Sequence, residues 1–280
     1  MPEIYLSPIV INSFAAHLQT EEKSPHTITK YLLDIKTLAW FAGSRPLTKS
    51  LTVAFKKSLV DSGKYEVSSI NTILASIISL CRFLGHPDCA VKTLRTQRKV
   101  YCPEERELTK SEYLRLLDAS KRHPRLCLII QTICSTGIRV SELEYFTVEA
   151  VRRGEVVVNC NNKTRTILVP SLLKSKLLSY IKSKKIESGV IFRTRSGRPL
   201  NRSNIWADMK KLCHTANVNP SKAFPHNLRK LFARTFYSID KDIAKLADIL
   251  GHSSINTTRI YIMTTGSEHR RQIERLHLLI

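Results

Sequence analysis

Residues 225–262 read PHNLRKLFARTFYSIDKDIAKLADILGHSSINTTRIYI, and the interpretation of the whole chain starts from this stretch. Its apolar spacing and its breaks predict three consecutive helices, over 225–238, 241–250 and 254–262. Gly251 is the residue that ends the second of them. The stretch therefore predicts a compact helical region in the last third of the chain.

Two imidazoles, one guanidinium and one phenol recur in this region at positions that a helix would bring together. His226 and Arg229 are three residues apart, so they share one face near the start of the first helix. His252 directly follows Gly251, and Tyr261 comes nine residues later. Each of these residues alone is most often a core, capping or surface residue, and only their combination suggests a site.

A second polar group lies in TGIRVSEL, residues 136–143. Arg139 begins a helix that we expect to run to Phe146. A guanidinium at a helix start opposes the helix dipole at a cost of about a few tenths of a kcal/mol, so an offsetting role is expected. Glu142, one turn later, is placed to hold that guanidinium.

A β-hairpin is predicted next, because the β-rich runs Glu155–Cys160 and Thr166–Val169 are joined by an asparagine-rich turn. Lys163 lies at its tip. The rest of this half is predicted to be helical, so the fold is mainly α with one small hairpin. The further helices are expected at 124–135, 171–185 and 201–216.

The first hundred residues predict a bundle of four short helices. Trp40 and Phe41 are expected in its core. Residues 92–106, KTLRTQRKVYCPEER, are charged and poor in apolar side chains, which is typical of a linker. The four helices are expected at Pro8–Leu18, from Ser24-Pro25 onward, at Leu51–Leu59 and at Val67–Leu84.

A new helix start follows the linker, where Thr109 and Glu112 fit a capping box. We therefore divide the chain into a helical domain over 1–98, a linker over 99–107 and a mixed α/β domain over 108–280.

The chain is strongly basic, with 45 Lys+Arg against 23 Asp+Glu in 280 residues and a net charge of +22. Both halves contribute, since residues 1–100 carry a net +6 and residues 101–280 a net +16. Such an excess repels itself unless an anionic partner neutralises it. Nucleic acid is the favoured partner, and an anionic membrane surface or a generally basic surface without a specific partner are the alternatives.

Seven scattered cysteines, an odd number, argue against a disulfide framework and favour a reducing, cytoplasmic location. No stretch of about 18 uncharged apolar residues predicts a membrane span, and the first ten residues do not resemble a secretory signal. Cys81, His86 and Cys89 could suggest zinc, but no second ligand pair lies at zinc-finger spacing. We expect no metal.

The polar residues singled out above suit phosphoryl transfer without a metal ion. Arginine forks and an imidazole can stabilise the negative charge that develops on the nonbridging oxygens of a phosphodiester. A tyrosine can attack phosphorus, provided that neighbouring groups help to deprotonate a phenol whose pKa is near 10. A lysine on a hairpin can protonate a leaving oxygen.

Four segments, TGIRVSEL, NKTRTILVP, PHNLRKLFA and LGHSSINTTRIYI, resemble in order and spacing the signature segments of the tyrosine recombinase (phage integrase, Xer-like) family. The resemblance covers nearly the whole chain. Residues 1–98 resemble the helical, SAM-like core-binding domain and 108–280 the catalytic domain of members without a separate arm-binding domain. It implies an auxiliary acid at Glu142 and the catalytic set Arg139, Lys163, His226, Arg229, His252 and Tyr261. Arg165 lies close to Lys163 on the hairpin, and the division of roles between these two residues stays open.

What the resemblance implies is a site-specific DNA recombinase that needs no cofactor. Tyr261 would attack the scissile phosphate and form a 3′-phosphotyrosyl link, and a 5′ hydroxyl of a second duplex would then complete strand exchange through a Holliday junction. A homotetramer on two sites of double-stranded DNA is implied, with no membrane partner, and the tail from Ser267 to Ile280 either folds back in cis or docks in trans. Integration or excision of a mobile element is the favoured process.

Basic residues along the linker and in the second domain are the expected DNA contacts, most of them to phosphates that position the protein rather than read sequence. These contacts are expected at Lys92, Arg95, Arg98, Lys99, Arg193, Arg195, Arg198 and Arg202.

Three alternatives stay open. The first is relaxation of DNA in the manner of a type IB topoisomerase, which uses the same tyrosine chemistry. The second is Xer-type resolution of chromosome or plasmid dimers. The third is a DNA-binding regulator without catalysis, which predicts a degraded catalytic set.

Overall fold

The computed structural model describes residues 3–95, 101–160, 163–194 and 196–276. The chain forms two compact units, Met1–Arg98 and Lys99–Ile280. In the part of the chain that is described, no helix is long and apolar enough to cross a membrane.

The first unit is a bundle of four helices. Hydroxyl side chains at Ser7, Ser24 and Thr48 cap three of them by accepting hydrogen bonds from backbone N–H groups of the first turn. The predicted start at Ser24-Pro25 is thereby confirmed. The helices are α1 (Pro8–Thr20), α2 (Pro25–Ala42), α3 (Lys49–Asp61) and α4 (Val67–Phe83).

The bundle core is made of fully buried side chains such as Phe14, Leu38 and Leu74. The expectation that Trp40 joins this core is wrong, since 85% of this residue is exposed. Leu38 and Ala42 point inward, and a residue two positions from Leu38 faces the opposite side of a helix with 3.6 residues per turn. Phe41, in contrast, packs against the core.

A 3₁₀ turn, Pro87–Cys89, follows α4 and places His86, Asp88 and Cys89 with potential ligand atoms within 4.8 Å of one another. Cys89 is 5% exposed, and its Sγ lies 3.8 Å from the Leu47 carbonyl oxygen. Burial raises the pKa of this thiol above its usual range. Cys89 is therefore a neutral core residue here.

The second unit has a larger apolar core than the first, and most of its helices and strands contribute to this core. Thr109 and Glu112 form the predicted capping box at the start of its first helix. The helices are α5 (Lys110–Ala119), α6 (Pro124–Thr136), α7 (Val148–Arg153), α8 (Ser171–Ser183), α9 (Arg202–Ala216), α10 (Pro225–Ile239), α11 (Ile243–Leu250), α12 (Ile255–Ile262) and α13 (Gly266–Glu274).

The hairpin consists of β1 (Glu155–Cys160) and β2 (Lys163–Leu168), antiparallel with Cys160 opposite Lys163. Strand β2 begins three residues earlier than predicted, so Lys163 is its first residue. The helix expected from Arg139 to Phe146 is instead a 3₁₀ helix, Val140–Tyr145, for which Arg139 is the cap. The mainly helical fold with one small hairpin is confirmed.

The chain after α12 packs back onto its own unit. The backbone N–H of Cys102 donates to the Thr264 carbonyl oxygen at 3.1 Å, and α13 is capped by a box between Thr265 and Glu268. Glu268 also accepts a hydrogen bond of 2.7 Å from Arg234 on α10. The predicted tail residues 277–280 lie outside the described residues, and Ile273 and Leu276 before them are exposed, so docking of the tail in cis or in trans stays a prediction.

Candidate active site

Four structural elements meet at one polar centre: the turn after α6, strand β2, the start of α10, and the turn from α11 into α12. Gly137, which ends α6 with a φ of +66°, makes the first approach possible. A Cβ at this position would lie 2.4 Å from the side chain of Phe232 on α10. Glycine therefore allows the Arg139 segment to lie against α10.

Arg229 is the buried cation of the centre, with 1% of the residue exposed. Its Nη1 donates to the Gly137 carbonyl oxygen, and its Nη2 donates to the Leu250 carbonyl oxygen at 2.6 Å and contacts His252 Nε2 at 3.0 Å. Burial and the neighbouring Arg139 lower the pKa of Arg229 to about 10. It stays protonated at neutral pH, and among the described residues its Nε has no hydrogen-bond partner.

Glu142 is the acidic residue of the centre, and its side chain is 1% exposed. It receives a hydrogen bond from Arg139 Nη1 at 3.0 Å and one from the Arg139 backbone N–H at 2.7 Å. The Nη atoms of Arg165, on β2, bind the two carboxylate oxygens at 2.9 and 2.7 Å. Although burial raises the pKa of Glu142, these hydrogen bonds outweigh it and hold the pKa below its usual range.

His252 is fixed at both ring nitrogens. Nδ1 lies 2.9 Å from the Thr258 hydroxyl oxygen, and Nε2 faces Arg229. A guanidinium can only donate, so Nε2 accepts and the proton of the neutral ring is on Nδ1, from where it is donated to Thr258. Burial first, and then Arg229, Arg139 and Arg165, lower the pKa of His252 to about 4. A phosphate bound at this position would add negative charge beside the ring and would therefore raise the pKa of His252.

Tyr261, on α12, is 9% exposed and lies between the two imidazoles. Its ring centroid is 5.1 Å from that of His226 and 4.8 Å from that of His252, and the Arg229 guanidinium carbon is 5.8 Å from the ring centroid. The phenol therefore shares one pocket with three of the predicted site residues within a single chain.

His226 is placed by Pro225 at the first turn of α10. Its ring stacks on Phe224 and meets the Tyr261 ring in a T-shaped contact, while the residue stays exposed to solvent. Partial burial of the ring, followed by the charges of Lys230, Arg229 and Arg139, lowers the pKa of His226. The imidazole is therefore neutral at pH 7 and able to accept a proton.

The structure brings together six predicted residues: Arg139, Glu142, His226, Arg229, His252 and Tyr261. Lys163 lies two residues from Arg165 in β2, and its side chain is outside the described part. Sequence reasoning left the roles of Lys163 and Arg165 open and missed Thr258. The two-residue alternation of strand β2 places Arg165 on the same face as Lys163, whereas nothing in the sequence indicated Thr258.

The structure describes five of the eight predicted DNA-contact residues. Lys92 and Arg95 are exposed in the irregular segment that follows the helices of the first unit. Arg198 and Arg202 are exposed in the second unit, and Arg193 is half-buried and pairs with Pro199 in an isolated bridge. Arg98, Lys99 and Arg195 lie outside the described residues.

Comparison with protein families decides the affiliation. Residues 106–268 match the model of the phage integrase family, and residues 11–86 match its N-terminal SAM-like domain. The chain belongs to the phage integrase family, the tyrosine recombinases. The family, the fold class and the enzyme class predicted above, a site-specific DNA recombinase, are thereby confirmed.

Relatives of this recombinase match it over its full length. The tyrosine recombinase XerA of Thermococcus kodakarensis is 29% identical, with 96% of both chains covered. XerA of Pyrococcus furiosus is 28% identical over 100% of this chain and 98% of its own.

Solved structures agree in fold. A lambda integrase (75–356) dimer bound to a COC′ core site has a TM-score of 0.73 at 19% identity, with 92% of this chain and 95% of that chain covered. The XerH recombinase in a post-cleavage complex with palindromic difH substrate has a TM-score of 0.71 at 15% identity, with 97% and 99% covered.

Proposed function

We propose that this recombinase cuts and rejoins DNA at specific sites through a covalent link between Tyr261 and a 3′ phosphate. The observation that carries the proposal is the position of the Tyr261 ring between His226 and His252 and against Arg229. A nucleophile, a neutral base and a fixed guanidinium thus converge in one chain.

In the proposed cleavage step, the Tyr261 oxygen attacks the scissile phosphorus while its proton passes to neutral His226. The P–O5′ bond breaks, and Lys163 gives a proton to the departing 5′ oxygen. Arg139 and Arg229 stabilise the charge on the nonbridging oxygens, a role that preorganised donors in a buried site perform well. His252 joins them once the bound phosphate favours its protonated form, in which both ring nitrogens donate. The energy of the phosphodiester is kept in the phosphotyrosyl bond, so rejoining needs no ATP.

Rejoining to a different strand requires a second duplex. A 5′ hydroxyl of a partner site attacks the phosphotyrosine and releases Tyr261, and two such rounds pass through a Holliday junction. We propose a homotetramer on two DNA sites. The net charge of +22 supports a polyanionic partner, and a lambda integrase tetramer bound to a Holliday junction has a TM-score of 0.70 with this chain.

The basic residues Lys92, Arg95, Arg193, Arg198 and Arg202 are the proposed contacts to DNA phosphates. Binding is then expected to weaken steeply as salt rises, because each neutralised phosphate releases counterions. A flat salt dependence would contradict this part of the proposal.

The test is covalent capture. A pool of DNA duplexes with a randomised central segment and a nick in one strand is incubated with the protein, and SDS-stable adducts are isolated and sequenced. The nick lets the short 5′-hydroxyl fragment leave, so that the adduct accumulates. Tyr261→Phe is expected to abolish the adduct, while Tyr237→Phe, a second partly buried tyrosine packed in the same apolar cluster, is expected to retain it.

An adduct with Tyr261→Phe would show that the nucleophile is assigned wrongly. A wild-type protein that binds DNA without any adduct would favour the regulator alternative. Return of every cut end to its own strand would favour the topoisomerase-like alternative.

The process served by recombination has two candidates. Integration or excision of a mobile element is the first. Xer-type dimer resolution is the second, and it is favoured by full-length matches to recombinases of the Xer type. A plasmid with two identical, directly repeated copies of the captured site separates them, since dimer resolution predicts efficient conversion to monomers, whereas integration predicts reaction with a different partner site.

A further inference from the structure

Among the hairpin side chains that the structure describes, the Arg165 guanidinium lies in the centre. It comes from β2, and its side chain is 15% exposed. Both of its Nη atoms bind the Glu142 carboxylate, one to each oxygen. This two-point geometry is specific to a guanidinium, because the ammonium of a lysine cannot match both carboxylate oxygens at once.

Glu142 connects Arg165 to the phosphate-binding side of the centre. The same carboxylate holds Arg139 at two points, its backbone N–H and its Nη1. The remaining Nη2 of Arg139 is directed to the Gly251 carbonyl oxygen at 3.2 Å. The orientation of the Arg139 guanidinium therefore depends on a carboxylate that Arg165 fixes from the opposite side.

Arg165 also contacts the turn that carries His252. A Cβ built on Gly251 would lie 2.8 Å from Arg165 Nη1 and 2.9 Å from its Cδ. Gly251 has a φ of +64° and ends α11. The guanidinium thus packs directly against the backbone that precedes His252, and a side chain at position 251 would force Arg165 to shift.

We propose that Arg165 is a positioning residue of the cleavage reaction. By binding both carboxylate oxygens of Glu142 and packing against the Gly251 turn, it sets the orientation of Arg139 and His252 toward the scissile phosphate. The inference rests on the function proposed above. It gives the hairpin a second role besides the proton transfer proposed for Lys163. The contact of Arg165, on β2, with Glu142 fixes the position of Arg139.

A buried ion pair can also serve stability alone, so the test must separate the two roles. The variants are Arg165→Lys, Arg165→Gln, Glu142→Gln and the double variant Arg165→Gln/Glu142→Gln. Arg153→Gln removes a positive charge from an exposed position at the end of α7, next to β1, and is the matched control. The readouts are the rate of adduct formation on the captured nicked duplex, the affinity for that duplex, and the thermal unfolding midpoint.

Arg165→Gln is expected to slow adduct formation by roughly 10- to 100-fold, the size typical for loss of a group that orients a functional residue through a hydrogen bond. Affinity for the duplex is expected to stay near that of Arg153→Gln. Arg165→Lys keeps the charge but loses the two-point grip, so an intermediate rate is expected. In the Glu142→Gln background, Arg165→Gln is expected to add little, because both changes break the same connection.

The pH profile gives a readout that a purely structural role would not move. Glu142 faces Arg139 from its own segment, Arg165 from β2 and Arg229 from α10. Without Arg165 the pKa of the buried carboxylate rises, and a protonated Glu142 no longer holds Arg139. The ratio of the Arg165→Gln rate to the wild-type rate is therefore expected to fall as the pH is lowered from 7 to about 5, and Glu142→Gln is expected to remove this dependence.

Three results would overturn the inference: an unchanged adduct rate in Arg165→Gln, a loss fully explained by weaker DNA binding or unfolding, or an equal effect of Arg165→Gln with and without Glu142. If the wild type formed no Tyr261-dependent adduct, the proposed function would fail and this inference with it. A normal wild-type adduct together with any of the three results would refute the role of Arg165 alone.

Discussion

Nη2 of Arg229 lies 3.0 Å from Nε2 of His252, so the imidazole must be neutral to accept its hydrogen bond. Burial and the positive charge of Arg229 lower the pKa of His252 to about 4, which keeps the ring neutral at pH 7. In the unfolded chain an ordinary histidine titrates near 6.5. The contact therefore makes the stability of the second unit dependent on pH.

The first prediction concerns this dependence. Between pH 6.5 and about 4, His252 is protonated in the unfolded chain but not in the folded chain. The free energy of unfolding therefore decreases as the pH falls through this window. His252→Gln keeps a hydrogen-bond acceptor without the titration. It is expected to show a smaller loss of unfolding free energy between pH 7 and pH 5, measured by urea denaturation.

His226 has a lowered pKa as well and shifts stability in the same direction, so part of the pH dependence remains in His252→Gln. His214→Gln, at an exposed position of α9, is the control and is expected to behave as the wild type. An unchanged slope in His252→Gln would show that the imidazole is not held neutral by Arg229.

The second prediction concerns the close approach at Gly137. Gly137→Ala would place a Cβ 2.4 Å from Phe232 in a backbone conformation with φ at +66°. Strain and overpacking together are expected to destabilise the fold by about 2–4 kcal/mol. Adduct formation is expected to fall also, because the Gly137 carbonyl oxygen accepts a hydrogen bond from Arg229.

Gly189→Ala separates the two costs, since this exposed glycine has a similar φ of +74° and no atom within 4 Å of a built Cβ. It is expected to show only the backbone cost of about 1 kcal/mol. Equal destabilisation of both variants by urea denaturation would show that the contact with Phe232 carries no energy.

The part of this architecture that sequence predicts well is the part governed by local rules. Caps, prolines and apolar spacing located α10, α11 and α12, and motif spacing selected Tyr261 with its two histidines. Trp40 was misplaced, because an aromatic residue in an apolar run does not itself reveal which helix face is buried. The role of Arg165 stayed open, since its link to Glu142 joins residues 23 positions apart whose contact depends on how the hairpin packs.

The third prediction concerns the segment after α12. Arg234 on α10 binds Glu268 at 2.7 Å and lies 3.8 Å from the buried carboxylate of Glu107, so it ties α13 to the unit. Arg234→Gln is expected to loosen α13 and to increase tryptic cleavage after Arg270 and Arg271 several-fold. Local opening of this kind is what limited proteolysis detects.

Lys245→Gln is the control for that experiment, because it removes an exposed ion pair with Asp240 in which no residue of α13 takes part. Exposed pairs contribute about 0–1 kcal/mol, so little change in cleavage is expected. Equal cleavage of Arg234→Gln and the wild type would contradict the anchoring role.

The last prediction follows from the position of Tyr261 in the pocket of its own chain. The phenol, His252 and Arg229 belong to one protomer, so each protomer is expected to cleave with its own tyrosine. Tyr261→Phe supplies an intact cation set without a nucleophile, and Arg229→Gln supplies a nucleophile without its central cation. A mixture of the two inactive variants on the captured nicked duplex is therefore expected to form no adduct, whereas a mixture of wild type with either variant forms adduct in proportion to the wild-type share. Restored cleavage in the mixture of inactive variants, detected by SDS gel electrophoresis, would show that Tyr261 is donated to a neighbouring protomer and that the pocket seen in one chain is not the one that reacts.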